Sequence, residues 1–277
     1  MRIDMNYKNV WSVFFSATGT TQKIVTKIAG EIAKDLNLPH KTFDFTLPDA
    51  RTEALSFIKD DLVVFGTPVI AGRIPNLLLK YLDTLTGGGA AAVPVVLFGN
   101  RNYDDALIEL RDILEKGGFH TIAAAAFVGE HSFSEILAKG RPDEADMLLA
   151  DSFAKKTAEK ASALQSYEKP VDVSGTPQPY RGYYQPRDRH GNHIDIRKVK
   201  PVTNTDCDNC LICVKLCPLG SINPENVAEV PGICMKCCAC IKKCPKKAKY
   251  FDDAGYLFHK AELEEVYARR AEPEWFL

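Results

Sequence analysis

Short apolar runs alternate with helical periodicities along roughly the first three-fifths of the chain. Val10–Ser16 (VWSVFFS), Asp61–Thr67 (DLVVFGT), Pro94–Gly99 (PVVLFG) and Ile122–Val128 are apolar without a polar alternation, the signature of strands covered on both faces. His40–Asp44 adds a shorter strand. Between them Gln22–Leu36 places Ile24, Ile28 and Ile32 on one helical face, and Pro75–Leu85 opens with a proline suited to a first helical position. Asp104–Lys116 is closed by Gly117 and Gly118, and Asp143–Tyr167 reads as a long last helix. Strands alternating with helices predict a doubly wound, parallel α/β sheet with right-handed crossovers.

The rhythm stops at Lys169. Residues 169–198 carry four prolines, three glycines and Tyr180, Tyr183 and Tyr184, with no strand or helix period. The segment reads as a linker, or else as a strap whose tyrosines pack on the neighbouring domains. The expected organisation is therefore an α/β domain over 1–168, this segment, a small cysteine-bearing domain over 199–255, and a helical tail over 256–277, its helix spanning roughly His259–Arg270.

Composition narrows the function classes. A formal net charge of −1 with 45 % apolar residues gives no electrostatic reason to expect nucleic acid or an anionic membrane as partner. No apolar run reaches the roughly 20 residues that span a bilayer, and MRIDMNYKNV has no signal pattern, so a cytoplasmic protein is expected. All nine cysteines lie between Cys207 and Cys244, and so odd and crowded a set points to metal ligation rather than disulfides.

Those cysteines form an internal repeat. Cys207, Cys210, Cys213 and Cys217 recur 27 residues on as Cys234, Cys237, Cys240 and Cys244, and Pro218 recurs as Pro245. Each half reads C-x-x-C-x-x-C-x-x-x-C-P, the run of bacterial two-cluster ferredoxins, in which the fourth cysteine crosses to the other cluster. The expectation is two 4Fe–4S sites, one held by Cys207, Cys210, Cys213 and Cys244, the other by Cys234, Cys237, Cys240 and Cys217. Structural zinc is the alternative, but zinc has no need of a third cysteine in each run. Cys238 is left over, as a small packed hydrophobe. Eight lysines against four acids between Lys200 and Tyr250 would either offset the clusters' charge and receive an acidic partner, or form a solvated basic face.

The turn after the first strand is SATGTTQ. Ser16, Thr18, Thr20 and Thr21 supply hydroxyls, Gly19 lets a ligand approach the backbone, and a helix N-terminus follows, which together suit a phosphate. A capped helix start is the plainer alternative. It is neither a P-loop nor a G-x-G-x-x-G turn. Two more loops, Thr67–Arg73 (TPVIAGR) and Asn100–Asp104 (NRNYD), follow the third and fourth strands and should converge beside it.

SATGTTQ in this position resembles the FMN phosphate loop of the flavodoxin family, over Val10 to about Tyr167, and the resemblance implies five parallel strands in the order 2-1-3-4-5. With GEHSFSEILAKGRPDEAD (Gly129–Asp146) and the cysteine repeat, the chain further resembles flavodoxin–ferredoxin fusion proteins of anaerobic microbes, so the second domain is expected to be a small α+β ferredoxin-like unit. The likeness implies that Ser16, Thr18, Gly19, Thr20 and Thr21 take the phosphate. It implies that Thr67, Pro68, Val69, Ile70, Ala71 and Gly72, with Asn100, Arg101, Asn102, Tyr103 and Asp104, take the isoalloxazine, Tyr103 covering the ring. The first of those loops departs from the family in offering Ile70 where an aromatic is common. Arg73, Arg101 and His131 are further polar candidates at the rim. The expected function is electron transfer between FMN and two 4Fe–4S clusters, with redox proteins as donor and acceptor. The alternatives are a flavin-dependent reductase of a small substrate, fed by the clusters, and a redox sensor.

Overall fold

The computed structural model describes residues 7–167 and 169–277. Its elements run β1 Asn9–Phe14, α1 Thr20–Asp35, β2 His40–Asp44, β3 Asp61–Pro68, α2 Asn76–Leu82, β4 Ala91–Phe98, α3 Ala106–Lys116, β5 His120–Thr121, β6 Ala124–Val128 and α4 Glu144–Ala163. They continue with β7 Val202–Thr203, α5 Ile212–Lys215, α6 Ala239–Lys242, β8 Lys249–Tyr250, α7 Ala254–Val266 and β9 Glu274–Phe276. The main sheet is ordered β2-β1-β3-β4-β6-β9, with β5 also on β4. All its pairings are parallel except the last, where Ala124–Ala126 meet Phe276–Glu274 antiparallel.

Alternation along each strand feeds two cores. On β3, Leu62 and Val64 face α1 and α4, where Ile24, Ile28, Ile32, Phe153 and Ala154 close one layer. Val63 and Phe65 face the opposite layer, with Leu78 and Leu82 of α2 and Leu107, Leu110 and Leu114 of α3. All the strand residues just named are fully buried, which is why these strands are legible as unbroken apolar runs. A side chain at Gly66 would collide with Val25, so this glycine lets α1 lie close on β3.

The structure corrects several expectations. The sheet is not five-stranded: among the described residues it has seven strands, because the fifth splits into β5 and β6 and the C-terminus adds β9. The tail is not wholly helical, since α7 begins at Ala254, ends at Val266, and gives way to β9. The fourth strand starts at Ala91, so Pro94 lies inside it. Ala92 pairs with Thr121 of β5 and Val95 with Ala125 of β6, so Pro94 falls in the gap between those pairings, where its missing N–H is not required.

Residues 171–184 run along the α/β part as a strap, while Arg189 pairs with Glu265 of α7 and Ile196 packs with the cysteine-bearing part. The buried Asp105 carboxylate accepts from the backbone N–H of Thr176 (2.9 Å) and Arg181 (2.8 Å). Tyr180 donates to Asp112 (2.7 Å), Tyr183 to the Ile74 carbonyl (2.8 Å), and the Tyr184 N–H to the Ala71 carbonyl (2.8 Å).

In the cysteine-bearing part the sequence repeat is also a backbone repeat. Asn209, Leu211 and Gly220 have positive φ, and so do Lys236, Cys238 and Lys247, 27 residues later. Helices α5 and α6 obey the same shift, and β7 pairs antiparallel with β8.

Candidate functional site

Two sets of residues meet at the carboxyl end of the parallel sheet. The first is the turn from β1 into α1. Gly19, left-handed at φ 99°, caps α1 with no side chain of its own, and no acidic residue occupies the first turn. Ser16 Oγ accepts from the Gln22 N–H (2.9 Å), and the Ser16 N–H donates to Thr46 Oγ1 (2.8 Å). At the end of β3 the Thr67 side chain is fully buried and its hydroxyl has no hydrogen-bond partner. Gly66 faces Thr21 and Val25 of α1, so by strand alternation Thr67 faces the α2/α3 layer with Val63 and Phe65, away from the α1 turn.

The loops around this turn are occupied differently from expectation. Tyr103 does not lie over a ring: it is buried against Phe98, and its hydroxyl donates to Glu274 Oε2 (2.5 Å). Asn100 is likewise spent. Its amide donates to the carbonyls of Tyr267 (2.7 Å) and Arg269 (2.6 Å), and its oxygen accepts from the Ala271 N–H (3.1 Å), so it holds the chain that leads into β9. Asn102 accepts from the Asp104 N–H (2.8 Å), Asp104 pairs with Arg101, and the Arg101 guanidinium lies over Tyr184. At Gly72 (φ 77°) any side chain would strike Asp104, and its carbonyl accepts from the Asp105 N–H, so the two loops pack directly on each other. The backbone of 68–71 is paired as well: the Val69 N–H donates to the Leu97 carbonyl, Ile70 bonds Arg73 through both its N–H and its carbonyl, and the Ala71 carbonyl accepts from Tyr184, while Val69 packs on the first-domain core.

Arg73 is not a flavin contact. Its guanidinium makes a two-pronged pair with the buried Glu109 (2.6 and 2.7 Å), and Glu109 also accepts from the Ile74 N–H (2.9 Å). Tyr180 and Tyr183 stack on the same guanidinium, which donates to the Arg181 carbonyl (2.5 Å). Arg73 therefore clamps the strap. Glu109→Gln leaves this cation buried without its counter-charge and is expected to cost about 3–5 kcal/mol. Thermal unfolding should show it as a fall in Tm of roughly 10 °C.

His131 caps its own loop, accepting at Nδ1 from the Phe133 N–H (3.1 Å), so its proton sits on Nε2. Burial, with the charges of Lys242, His259 and Arg101 nearby, pushes its pKa down to about 4. Below the unfolded value of about 6.5 the unfolded chain binds a proton that the folded chain refuses, so stability falls as pH drops. About 2 kcal/mol should be lost between pH 6.5 and 5. Urea midpoints across that range should show a steeper acid limb for the wild type than for His131→Gln.

The second set is the cysteines. One cavity, about 420 Å³ out to its mouth, is lined by Cys217, Cys234, Cys237, Cys238 and Cys240, of which Cys238 alone lies outside the repeat. Another, about 330 Å³, is lined by Cys207, Cys210, Cys213 and Cys244. Each cavity thus gathers three cysteines of one repeat and the fourth of the other. The Ser221 N–H donates to Cys217 Sγ and the Ala248 N–H to Cys244 Sγ, both at 3.3 Å and 27 residues apart. All nine cysteines are free of disulfides. Among the described residues no three His, Cys, Asp or Glu side chains converge on the position of a single metal ion. Burial pushes the Cys237 thiol up to about 12 and raises those of Cys213, Cys234 and Cys240, the opposite of a reactive redox thiol. Cys238 is buried among Phe251 and Tyr256.

The Cys217 cavity adjoins the sheet end. Arg51, after β2, donates to the carbonyls of Phe45 (2.6 Å), Thr46 (2.7 Å) and Pro218 (2.5 Å). Ser16, Thr46, Arg51 and Pro218 thereby connect the α1 turn to the residue after Cys217. Met235, beside Cys234, packs on the first-domain core. Lys242 Nζ donates to the carbonyls of His131 (2.8 Å) and Ser134 (2.9 Å) and pairs with Glu130. Thr46, Arg51 and Met235 carry no motif, and only the folded chain shows their role.

No helix among the described residues is long and apolar enough to cross a membrane. No family model and no curated protein matches the chain. Solved structures similar to its α/β part include an archaeal flavodoxin (16 % identity, TM-score 0.40, 55 % of this chain and 98 % of that one). A flavodoxin of Streptococcus pneumonia TIGR4 is similar at 18 % identity and TM-score 0.40, over 55 % and 99 % of the two chains. An NADH:FMN oxidoreductase is similar at 16 % identity and TM-score 0.41, over 62 % and 97 %. Likeness at these scores carries nothing about the chemistry of this chain.

Proposed function

We propose that this chain is an electron-transfer protein that pairs FMN with two 4Fe–4S clusters. The observation that carries the reading is the pair of cysteine cavities, each gathering three repeat cysteines of one run and the fourth of the other, with Cys238 also lining the first. Soft thiol donors and matched N–H···S bonds fit iron–sulfur clusters. At the other site the glycine cap and acid-free first turn of α1 fit the phosphate end of FMN, held by Ser16, Thr18, Gly19, Thr20 and Thr21.

Bound FMN would exchange one or two electrons and each cluster one. The protein's own part is spacing. Arg51 ties Pro218 to Thr46, which holds the α1 turn, and Lys242 ties the cysteine region to the 130–134 loop, so exchange between the two sites would need no docking step. Donor and acceptor are then redox proteins.

The test is an anaerobic spectrum with iron, sulfide and flavin analysis, followed by addition of NADPH, NADH and then dithionite. Flavin bands over a broad cluster absorbance, bleached by dithionite and by neither nicotinamide, are expected. A flavin-free chain overturns the FMN half. Bleaching by a nicotinamide makes the chain a reductase with its own small-molecule donor.

A further inference from the structure

The two cysteine cavities share a backbone repeat, but Asp208, Lys246 and Lys249 line the Cys207 cavity where Met235, Leu219 and Ile222 line the other. Asp208 and Lys246 are exposed, and Lys249 is the buried one. Five residues after the fourth cysteine of each run the chain again turns inward. In the first repeat that residue is Ile222, lining the Cys217 cavity, and in the second it is Lys249, lining the Cys207 cavity. Both are buried, and Lys249 is only 3 % exposed. Its ammonium donates to Thr203 Oγ1 (2.7 Å) and the Val227 carbonyl (2.6 Å), which occupies two of its three donors, and no carboxylate among the described residues pairs with it. A buried cation without a counter-ion is costly unless a negative charge lies close by. Burial raises the thiols of Cys213 in this cavity and Cys240 in the other, and the charge of Lys249 works against that rise at both.

We propose that Lys249 is the built-in counter-charge of the group held by Cys207, Cys210, Cys213 and Cys244, and that it sets this site's reduction potential above that of the Cys217 site. The inference rests on reading the cysteines as cluster ligands. Accepting one electron takes an oxidised 4Fe–4S cluster from about −2 to about −3, counting its thiolates. A fixed positive charge in a poorly solvated wall stabilises the more negative state. The electron leaves the group at the Cys217 site, which is oxidised, and enters the group at the Cys207 site, which is reduced. No proton moves, and the electron comes originally from reduced flavin or, in the test, from dithionite. The order would be flavin, Cys217 site, Cys207 site, with delivery at Cys210, which is exposed.

Other cations oppose or blur this difference, and their exposure decides their weight. Lys236 and Lys200 stand near Cys234. Lys236 donates to the carbonyls of Cys234 and Arg197, and Lys200, exposed, to those of Val230 and Pro231. Solvent screens both more than it screens Lys249. Lys246, at the Cys207 cavity, lies 3.8 Å from Asp208, which offsets it.

The test is an anaerobic redox titration of the full chain, read by electron paramagnetic resonance and visible absorbance. The variants are Lys249→Met, Lys249→Arg, Lys236→Met and Cys210→Ser, the last to mark the Cys207-site signal without touching Lys249. Two resolved waves are expected, the upper one carrying the Cys210→Ser mark. Lys249→Met should move that wave further than the other, down to or below it. Lys249→Arg should hold it in place, and Lys236→Met should shift the lower wave only slightly. If the marked wave is the lower in the otherwise unchanged chain, the proposal falls whatever Lys249→Met does. Coincident waves, or a Lys249→Met effect spread equally over both, also overturn it. Iron and sulfide for fewer than two clusters would sink the underlying reading too, and is distinguished by the missing second wave.

Discussion

Replacing Cys217 with alanine is expected to cost the chain about half of its iron, roughly four atoms of eight. The half lost should be the set shared with Cys234, Cys237 and Cys240, not the set shared with the cysteines of its own repeat. The Cys217 sulfur lines the cavity of the second-repeat cysteines and accepts the Ser221 N–H, while Cys207, Cys210 and Cys213 line a separate cavity with Cys244. Removing one corner thiolate leaves three ligands and an iron open to water, and three-cysteine sites lose that iron or the whole cluster. Cys244→Ala is the mirror experiment and should empty the other cavity. Iron and sulfide content, with paramagnetic resonance of the remaining cluster, reads both. A Cys217→Ala protein that loses the Cys207 set and keeps the Cys234 set would refute the crossed arrangement.

The parts of the molecule legible in the sequence are those whose cause is local. Strands buried on both faces, such as Leu62–Phe65, must be apolar throughout, and the cysteine spacing follows from wrapping one cluster with a short loop. What was not legible depends on competition between distant residues. Nothing near Glu274 announces a three-residue strand. It forms because Asn100 and Arg141 capture the carbonyls and N–H groups of residues 267–271 and deliver the tail to β6. That same capture removes Asn100 and Tyr103 from the ring edge, so the loop composition promised contacts that the tail had already taken. Likewise the strap is held by Asp105, Glu109 and Asp112, three acids of one short stretch that read locally as an ordinary polar helix face. Lys249 sits in the run KKAK, which looks like a solvated basic surface. Its difference from Ile222 is visible in the repeat, but only burial gives that difference meaning.

Thr20→Glu should sharply weaken FMN binding while leaving the fold intact, and the contrast with Thr20→Gln isolates the cause. The first turn of α1 holds no acidic residue, whereas α4 begins with Glu144 and Asp146. On helix energetics alone an acid at this place is favourable by about 0.3–1 kcal/mol, so the variant has no reason to unfold. A phosphate at the same terminus reverses that sign. Two like charges about 4 Å apart near a protein surface repel by up to about 4 kcal/mol, and solvent reduces this toward 2. The expected loss of affinity is therefore roughly 30- to 1000-fold for Thr20→Glu, against a few-fold for Thr20→Gln, which has the same length without the charge. Fluorescence quenching of added FMN measures both, and unchanged iron content confirms that the cysteine half is intact. Equal affinities in the two variants would mean that the phosphate does not sit on α1, and that the Ser16–Thr21 turn is only a capped helix start.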